Sequence, residues 1–446
     1  MISHASMLKR IPVLALLVSL VALRVAGAQQ RPEIRPLGAV VATATETFGP
    51  LVFVRQIPGG VLVNDQANRR IVKLDEQLAN PVVIADSTPA TANAYSGRSG
   101  ALIAYRGDST LFVDPQSLSM LVIDPEGKIG RVMSVPRSQD AMVLGNTPLG
   151  GAAYDGAGRL VYRGFAMPRF NVRRGANGET MMHAPEMPDS AAVVRVELAS
   201  RQVDTVAWIR IPNLKIDMDR DSLGNMRPRI TTNPLPTVDD WTVLADGSVA
   251  VVRGHDYHVD FVRPDGTRES APKIPFDWQR LSDEDKVAFL DSLTAARERF
   301  LASQPEVEPE VSTTTTTGGG GSGERRTRTM IRMAPAPMAM SGNPLAGAVM
   351  SRNVNFVRPE ELPDYKPPFF ANAVRADADG KLWIQTIPTK ALAGGFVYDV
   401  IDAKGQLVER VQVPADRTIV GFGAGGIAYL VARDGMKTTL ERARIR

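Results

Sequence analysis

Two of the chain's four histidines, His255 and His258, stand three residues apart in GHDYHVD, residues 254–260, beside Asp256 and Asp260. Imidazoles and carboxylates can hold zinc or iron, but two neighbouring histidines do not complete a ligand set. A second acidic group, Asp217-Met218-Asp219-Arg220-Asp221, matches the first three ligand positions of a calcium loop. Ser222 stands where that loop needs glycine and Pro228 where it needs a bidentate glutamate, so it is not an EF-hand. Gly421, Gly423 and Gly426 match a bare G-x-G-x-x-G, yet the strand-like IAYLVA follows where a dinucleotide site needs a helix. Met181, Met182 and Met187 around His183, with Met330, Met333, Met338 and Met340, offer thioethers and an imidazole of the kind that bind Cu(I). Such methionines more often serve as adaptable apolar contacts. There is no nucleophile elbow, phosphate loop or H-E-x-x-H, and no residue is assigned a catalytic role.

The elements that carry these residues are repeated, and the repeat accounts for the histidines. VLVNDQANRRIVKLD (Val61 to Asp75), TLFVDPQSLSMLVID (Thr110 to Asp124) and VAVVRGHDYHVDFVR (Val249 to Arg263) share one pattern. Each has an apolar run, a short polar connection and a second apolar run, which reads as strand, hairpin, strand. Asp65 and Asp114 occupy one position and Asp75 and Asp124 another; arginine, Arg253 and Arg263, takes both in the third window. In this register His255 lies opposite Ala67 and Gln116, and His258 opposite Arg70 and Ser119. The same unit forms without histidine, so GHDYHVD is a turn and not a metal site.

Weaker copies bring the strand pairs to six, starting near residues 60, 110, 158, 247, 380 and 426. Each is too small to bury its own apolar surface, so neighbours must stack. Short strands joined by Asp-Gly turns predict an all-β chain built by radial repetition, a six-bladed β-propeller. Val40 to Phe48 alternates without a nearby partner and is expected to complete the last blade. Residues 280–365 interrupt the repeat between the fourth and fifth units. Within them, 281–304 reads as a helix with Ser282 as N-cap, Asp285 at the capping-box spacing, and a stripe of Phe289, Leu293, Ala296 and Phe300. Residues 305–345, rich in threonine and glycine, are expected to be a disordered linker.

Residues 1–28 read as a signal peptide: Lys9 and Arg10, an apolar run from Ile11 to Leu23, then Ala26-Gly27-Ala28. The mature chain, 29–446, is therefore expected in the periplasm or outside the cell, without an integral span. With no cysteine it has neither disulfides nor thiolate sites, so its core must hold it. Removing the leader's Lys9, Arg10 and Arg24 takes the net charge from +4 to +1, which gives no reason to expect nucleic acid as a partner.

The windows from Gly59 to Asp124, with Pro367-Pro368 ahead of RADADGKLWI, resemble blades of secreted bacterial six-bladed propellers of the NHL and TolB-like type, a family of unknown role. The resemblance is one of fold and carries over no catalytic residue; the chain is expected to be an exported, monomeric binding or scaffolding module for a protein or small-molecule ligand, with no cofactor. Some six-bladed relatives hold calcium in the central channel and hydrolyse lactones or esters. By that alternative, Asn64, Asp65, Asp114 and Asp155, at or near strand ends, would be the calcium ligands. For ligand contact, turn position points to Arg69, Arg253, His255 and Tyr257.

Overall fold

Alternating apolar runs separated by four-residue connections fold back on themselves as hairpins. The computed structural model describes residues 31–50, 52–97, 99–145, 151–155, 157–169, 172–174, 180–182, 185–220, 226–303, 311–316, 326–331, 354–389, 394–434 and 437–446. The leader and most of the methionine-rich stretches lie outside them. Gly60–Asp65 pairs with Arg70–Asp75, Thr110–Asp114 with Ser119–Ile123, and Val249–Arg253 with His258–Val262. Arg69, Leu118 and Tyr257 close the three connections with φ of 51°, 55° and 52°. This left-handed conformation costs a non-glycine residue roughly 1–2 kcal/mol, so the hairpin geometry imposes it.

Each strand pair is the middle of an antiparallel sheet. Sheet I is Val52–Ile57, Gly60–Asp65, Arg70–Asp75 and Val82–Asp86. Sheet II is Ala101–Ala104, Thr110–Asp114, Ser119–Ile123 and Ile129–Ser134. Sheet III is Ala153–Tyr154, Leu160–Arg163, Ser190–Val196 and Val203–Arg210. Sheet IV is Asp240–Val243, Val249–Arg253, His258–Val262 and Arg268–Ser270. Sheet V is Phe369–Ala376, Leu382–Thr386, Gly395–Ile401 and Leu407–Pro414, with Ile34–Pro36 added in parallel at its edge. Sheet VI is Arg417–Gly423, Ile427–Asp434 and Lys437–Arg444, completed by Val40–Phe48.

The inner strands carry apolar side chains on both faces because successive side chains face different neighbouring sheets. Leu62 packs with Phe112 and Ile123 of sheet II, whereas Val61 and Val63 pack with Tyr429 and Leu440 of sheet VI. Val113 meets Leu160 and Tyr162; Val193 meets Trp241 and Val251; Phe261 meets Leu382 and Ile384; Val411 meets Ala428 and Leu430. Every sheet thus shares a core with the one before and the one after, and VI shares one with I. This is a β-propeller. Gly421 and Gly423 belong to its packing: a Cβ at Gly421 would lie 2.6 Å from Val54 Cγ2, so glycine lets the first strand of sheet VI approach that of sheet I.

Residues 211–239 and 271–368 add structure outside the sheets. Leu214–Arg220 pairs with Met226–Thr232, which Val354–Phe356 extends in parallel. The helix Asp283–Ser303 begins at a reciprocal cap: Asp285 N donates to Ser282 Oγ at 3.2 Å and Ser282 N to Asp285 Oδ2 at 2.9 Å. Leu290 joins Leu235, Leu281, Val357 and Leu362, and the buried Lys286 reaches Asp364 at 2.8 Å. Within residues 305–345, Val311–Thr316 pairs antiparallel with Arg326–Ile331; the rest of that stretch lies outside the described residues. A run of threonine favours extended backbone. Among the described residues no helix is long and apolar enough to cross a membrane.

Candidate functional site

In an up-and-down sheet the turns alternate between two ends. The connections from first to second and from third to fourth strand are short, none longer than six residues. Neighbouring turns of this set touch: Arg106 Nη2 donates to Gly158 O and Arg159 Nη2 to Pro264 O, so they share one face. Four of them are Asp-x-x-Gly turns. Asp124, Asp155, Asp377 and Asp402 each accept through Oδ1 the amide of the residue four on, at 2.7, 2.8, 2.8 and 2.9 Å. The intervening Gly127, Gly158, Gly380 and Gly405 have positive φ.

The long connections, residues 87–100, 135–152, 164–189, 211–239 and 271–368, all leave from the opposite strand ends. Among the described residues, every exposed large apolar side chain borne by a connection lies on this face. They include Met142, Phe165, Met167, Trp278 and Tyr365, with Leu118 on a four-residue hairpin at the same end; none is on a turn between first and second or third and fourth strands. Trp278 and Tyr365 sit with perpendicular rings 6.4 Å apart, fixed by an isolated bridge between Arg280 and Tyr365 and by Lys366 N donating to Gln279 O.

The predicted site residues divide between the two faces and between surface and core. Asp65 is buried, accepts Gly49 N at 3.2 Å and Asn68 Nδ2 at 2.8 Å, and pairs with Arg70 at 3.0 Å. Asp114, one sheet on, accepts Ser96 N at 3.0 Å and Gln116 N at 3.1 Å. In both sheets a carboxylate at the end of the second strand ties down the chain that leads into the first. In sheet IV the roles are exchanged: Asp239, ahead of the first strand, accepts Gly254 N at 3.3 Å and Arg253 Nη1 at 2.8 Å. In sheet III, Asp140 likewise accepts Phe165 N at 3.1 Å and the Tyr162 hydroxyl at 2.7 Å. This exchange explains why arginine stands at 253 where aspartate stands at 65 and 114.

Asn64 is buried between Tyr95 and Gly100 O, each at 2.8 Å. Asp155 belongs to a short turn and pairs with Arg159 at 2.9 Å. It lies at the other end of the strands from Asp65 and Asp114, on the order of 15 Å away for strands of this length. The four proposed calcium ligands are therefore not brought together. Among the described residues no three His, Cys, Asp or Glu side chains are grouped to hold a metal.

Of the four residues expected to contact ligand, Tyr257 must be corrected. It is fully buried between sheets IV and V, and its hydroxyl donates to Asp399 Oδ2 at 3.0 Å. Burial, then the Asp399 charge, pushes that hydroxyl well above its ordinary value. Period-two alternation concealed this, because the left-handed turn residue points inward. Arg253 is held by Asp239 and by Asp260 at 2.8 Å, with Nη1 on Trp208 O. Arg69 donates to Ser96 O at 3.4 Å, and His255 is exposed. His258 is flanked by Asp256 at Nδ1, 2.7 Å, and Asp260 at Nε2, 3.2 Å.

A buried carboxylate that the repeat did not flag opens the first strand of sheet IV, at the same end as the long connections. Asp240 accepts Val374 N and Trp241 N, both at 2.9 Å. Removal from water raises its carboxyl to about 6, against those amides and the Arg375 charge. Val374 is turned toward it by a register shift in Phe369–Ala376, where Asn372 has φ 66°. Arg163, at the end of the second strand of sheet III, is lowered by burial and held up by Asp240; its Nε has no acceptor among the described residues. The signal, Asp239-Asp240 before Trp241, carries no periodicity that would reveal it.

No family model and no curated protein matches the chain. Several solved structures match along nearly its whole length. Virginiamycin B lyase from Staphylococcus aureus aligns at 11% identity and TM-score 0.34, over 92% of this chain and 98% of that one. A gluconolactonase from Xanthomonas campestris aligns at 12% and 0.26, over 92% and 99%. Regucalcin, a calcium-binding protein from Agrobacterium tumefaciens, aligns at 14% and 0.32, over 94% and 95%. Likeness this loose carries neither a family nor an activity to this chain.

Proposed function

We propose that the chain is an exported six-bladed β-propeller of the NHL and TolB-like kind, a binding or scaffolding module whose long-connection face takes up a partner. Sheets I to VI are its blades, Val40–Phe48 closes the ring, and residues 280–365 form an insert between the fourth and fifth blades. The observation that carries the reading is the asymmetry of the faces: the long connections and the exposed apolar side chains they bear share one face. Exposed Trp, Tyr, Phe and Met grouped on one surface are the usual anchors of a protein interface. The carboxylates that might have been catalytic are saturated by their own turns and latches.

The test is site-specific photo-crosslinking in the producing cell. A crosslinker at Phe165 or Trp278 is expected to capture a partner, and one at Lys128 or Lys404, on the short turns, is not. Capture only from the short turns would reverse the assignment of the face. Among the described residues, the calcium-dependent hydrolase has no convergent ligand set in its favour. One tightly held calcium per chain after dialysis, lost in Asp65→Asn and Asp114→Asn, would reinstate it.

A further inference from the structure

A cleft of about 280 Å³ runs between sheets II and III, bordered by the edge strand Ile129–Ser134 and, from the short-turn set, by the connections that carry Arg106 and Leu198 to Arg201. Three arginines, Arg106, Arg131 and Arg201, line it together with Tyr105 and Ser134, and no aspartate or glutamate does. Val132, Met133 and Leu198 contribute an apolar wall, with Val132 63% exposed. Two of the cations are held in place. Arg201, itself left-handed at φ 62°, donates to Val135 O at 2.6 Å and to Ser134 Oγ at 2.7 Å. Arg106 lies over the Tyr105 ring, 5.9 Å from its centroid. Arg131 is exposed.

Three like charges around one cleft repel unless an anion joins them, and a planar guanidinium is suited to a carboxylate or sulfate. The wall beside them favours an apolar body on that anion. We propose that this cleft binds a small amphiphilic organic anion, a carboxylate or sulfate carried on an apolar chain. Its volume is near the lower limit of small-molecule sites, roughly 300 Å³, which favours a medium-length chain. The assignment does not depend on what the long-connection face binds.

A charge on an edge strand also discourages strand pairing between molecules, and either sign serves that purpose. Arg131→Glu therefore separates the two roles. The full chain would be titrated calorimetrically with octanoate, octyl glucoside and acetate. Octanoate alone is expected to saturate, at one per chain. Arg131→Glu should weaken it by about tenfold or more with unfolding temperature and solubility unchanged, while Lys437→Glu on sheet VI leaves it intact. No saturable octanoate binding, or equal binding by Arg131→Glu, would overturn the proposal. So would octyl glucoside binding as tightly, which marks a merely apolar cleft, or acetate binding as tightly, which marks a bare anion site.

Discussion

Asp65, Asp114, Asp239 and Asp140 do one job from two positions, joining the second hairpin of a sheet to the chain entering its first strand. The sequence shows them only as aspartates aligned, or misaligned, with arginine. Their hydrogen bonds make them structural residues. Tyr257 is the clearest case: Tyr257→Phe removes a hydroxyl bonded to a buried carboxylate and should lower unfolding stability in urea by about 2 kcal/mol. His255→Ala, at an exposed turn position, should change it by no more than about 0.5 kcal/mol. Asp240 gives a pH dependence of definite sign. Its carboxyl is raised from 3.8 to about 6, so the folded state binds the extra proton. Stability is undiminished below pH 3.8, declines as pH rises to about 6, and stays lower above, by roughly 3 kcal/mol in all. Asp240→Asn should flatten the decline, read from urea midpoints across that interval; an unchanged slope would assign it to other groups.

At the scale of elements, the strand pairs were legible because apolar runs and Asp-x-x-Gly turns are local chemistry. Even Val40–Phe48 showed its character as an alternating strand with no neighbour in sequence. Ile34–Pro36 was not legible, since three residues carry no periodicity. What places it on sheet V is a charge cluster: Arg35 Nε donates to Glu409 Oε2 at 2.9 Å, Arg446 pairs with the same carboxylate, and Lys381 lies at 3.3 Å. Burial alone would raise the Glu409 carboxyl; the hydrogen bonds from Arg446 and Arg35 outweigh it and hold it at about 2, below 4.5. The docking energy from this pairing is present above pH 4.5 and lost as pH falls toward 2. Glu409→Gln should accordingly speed hydrogen exchange at the Leu37 amide, which donates to Gln412 O, while leaving sheets I to IV protected. Equal protection in the variant would show that the backbone pairing suffices alone.

For the whole molecule, stability depends on each sheet having two neighbours. Removing residues before Gly49 takes Val40–Phe48 from sheet VI and, with it, Ala44 and Phe48 from the core shared with sheet I. Calorimetry should then show the single unfolding transition broadened or lost. Replacing residues 281–362 with a short Gly-Ser linker should leave that transition close to its original temperature, because the helix packs mainly on its own small cluster. A collapse of the second variant would make the insert part of the ring's stability.

The sequence by itself determined the repeat, the all-β class, the turn at the histidines and the failure of the familiar metal and nucleotide motifs. Each is a matter of residue types at short separations. Only the tertiary structure decided that Tyr257 is core, that Asp155 lies on the opposite face from Asp65 and Asp114, that Asp240 is buried, and that three arginines from two sheets share a cleft. These depend on which end of a strand a residue occupies and which sheet lies beside it. Such relations join residues tens to hundreds of positions apart, and no local pattern encodes them.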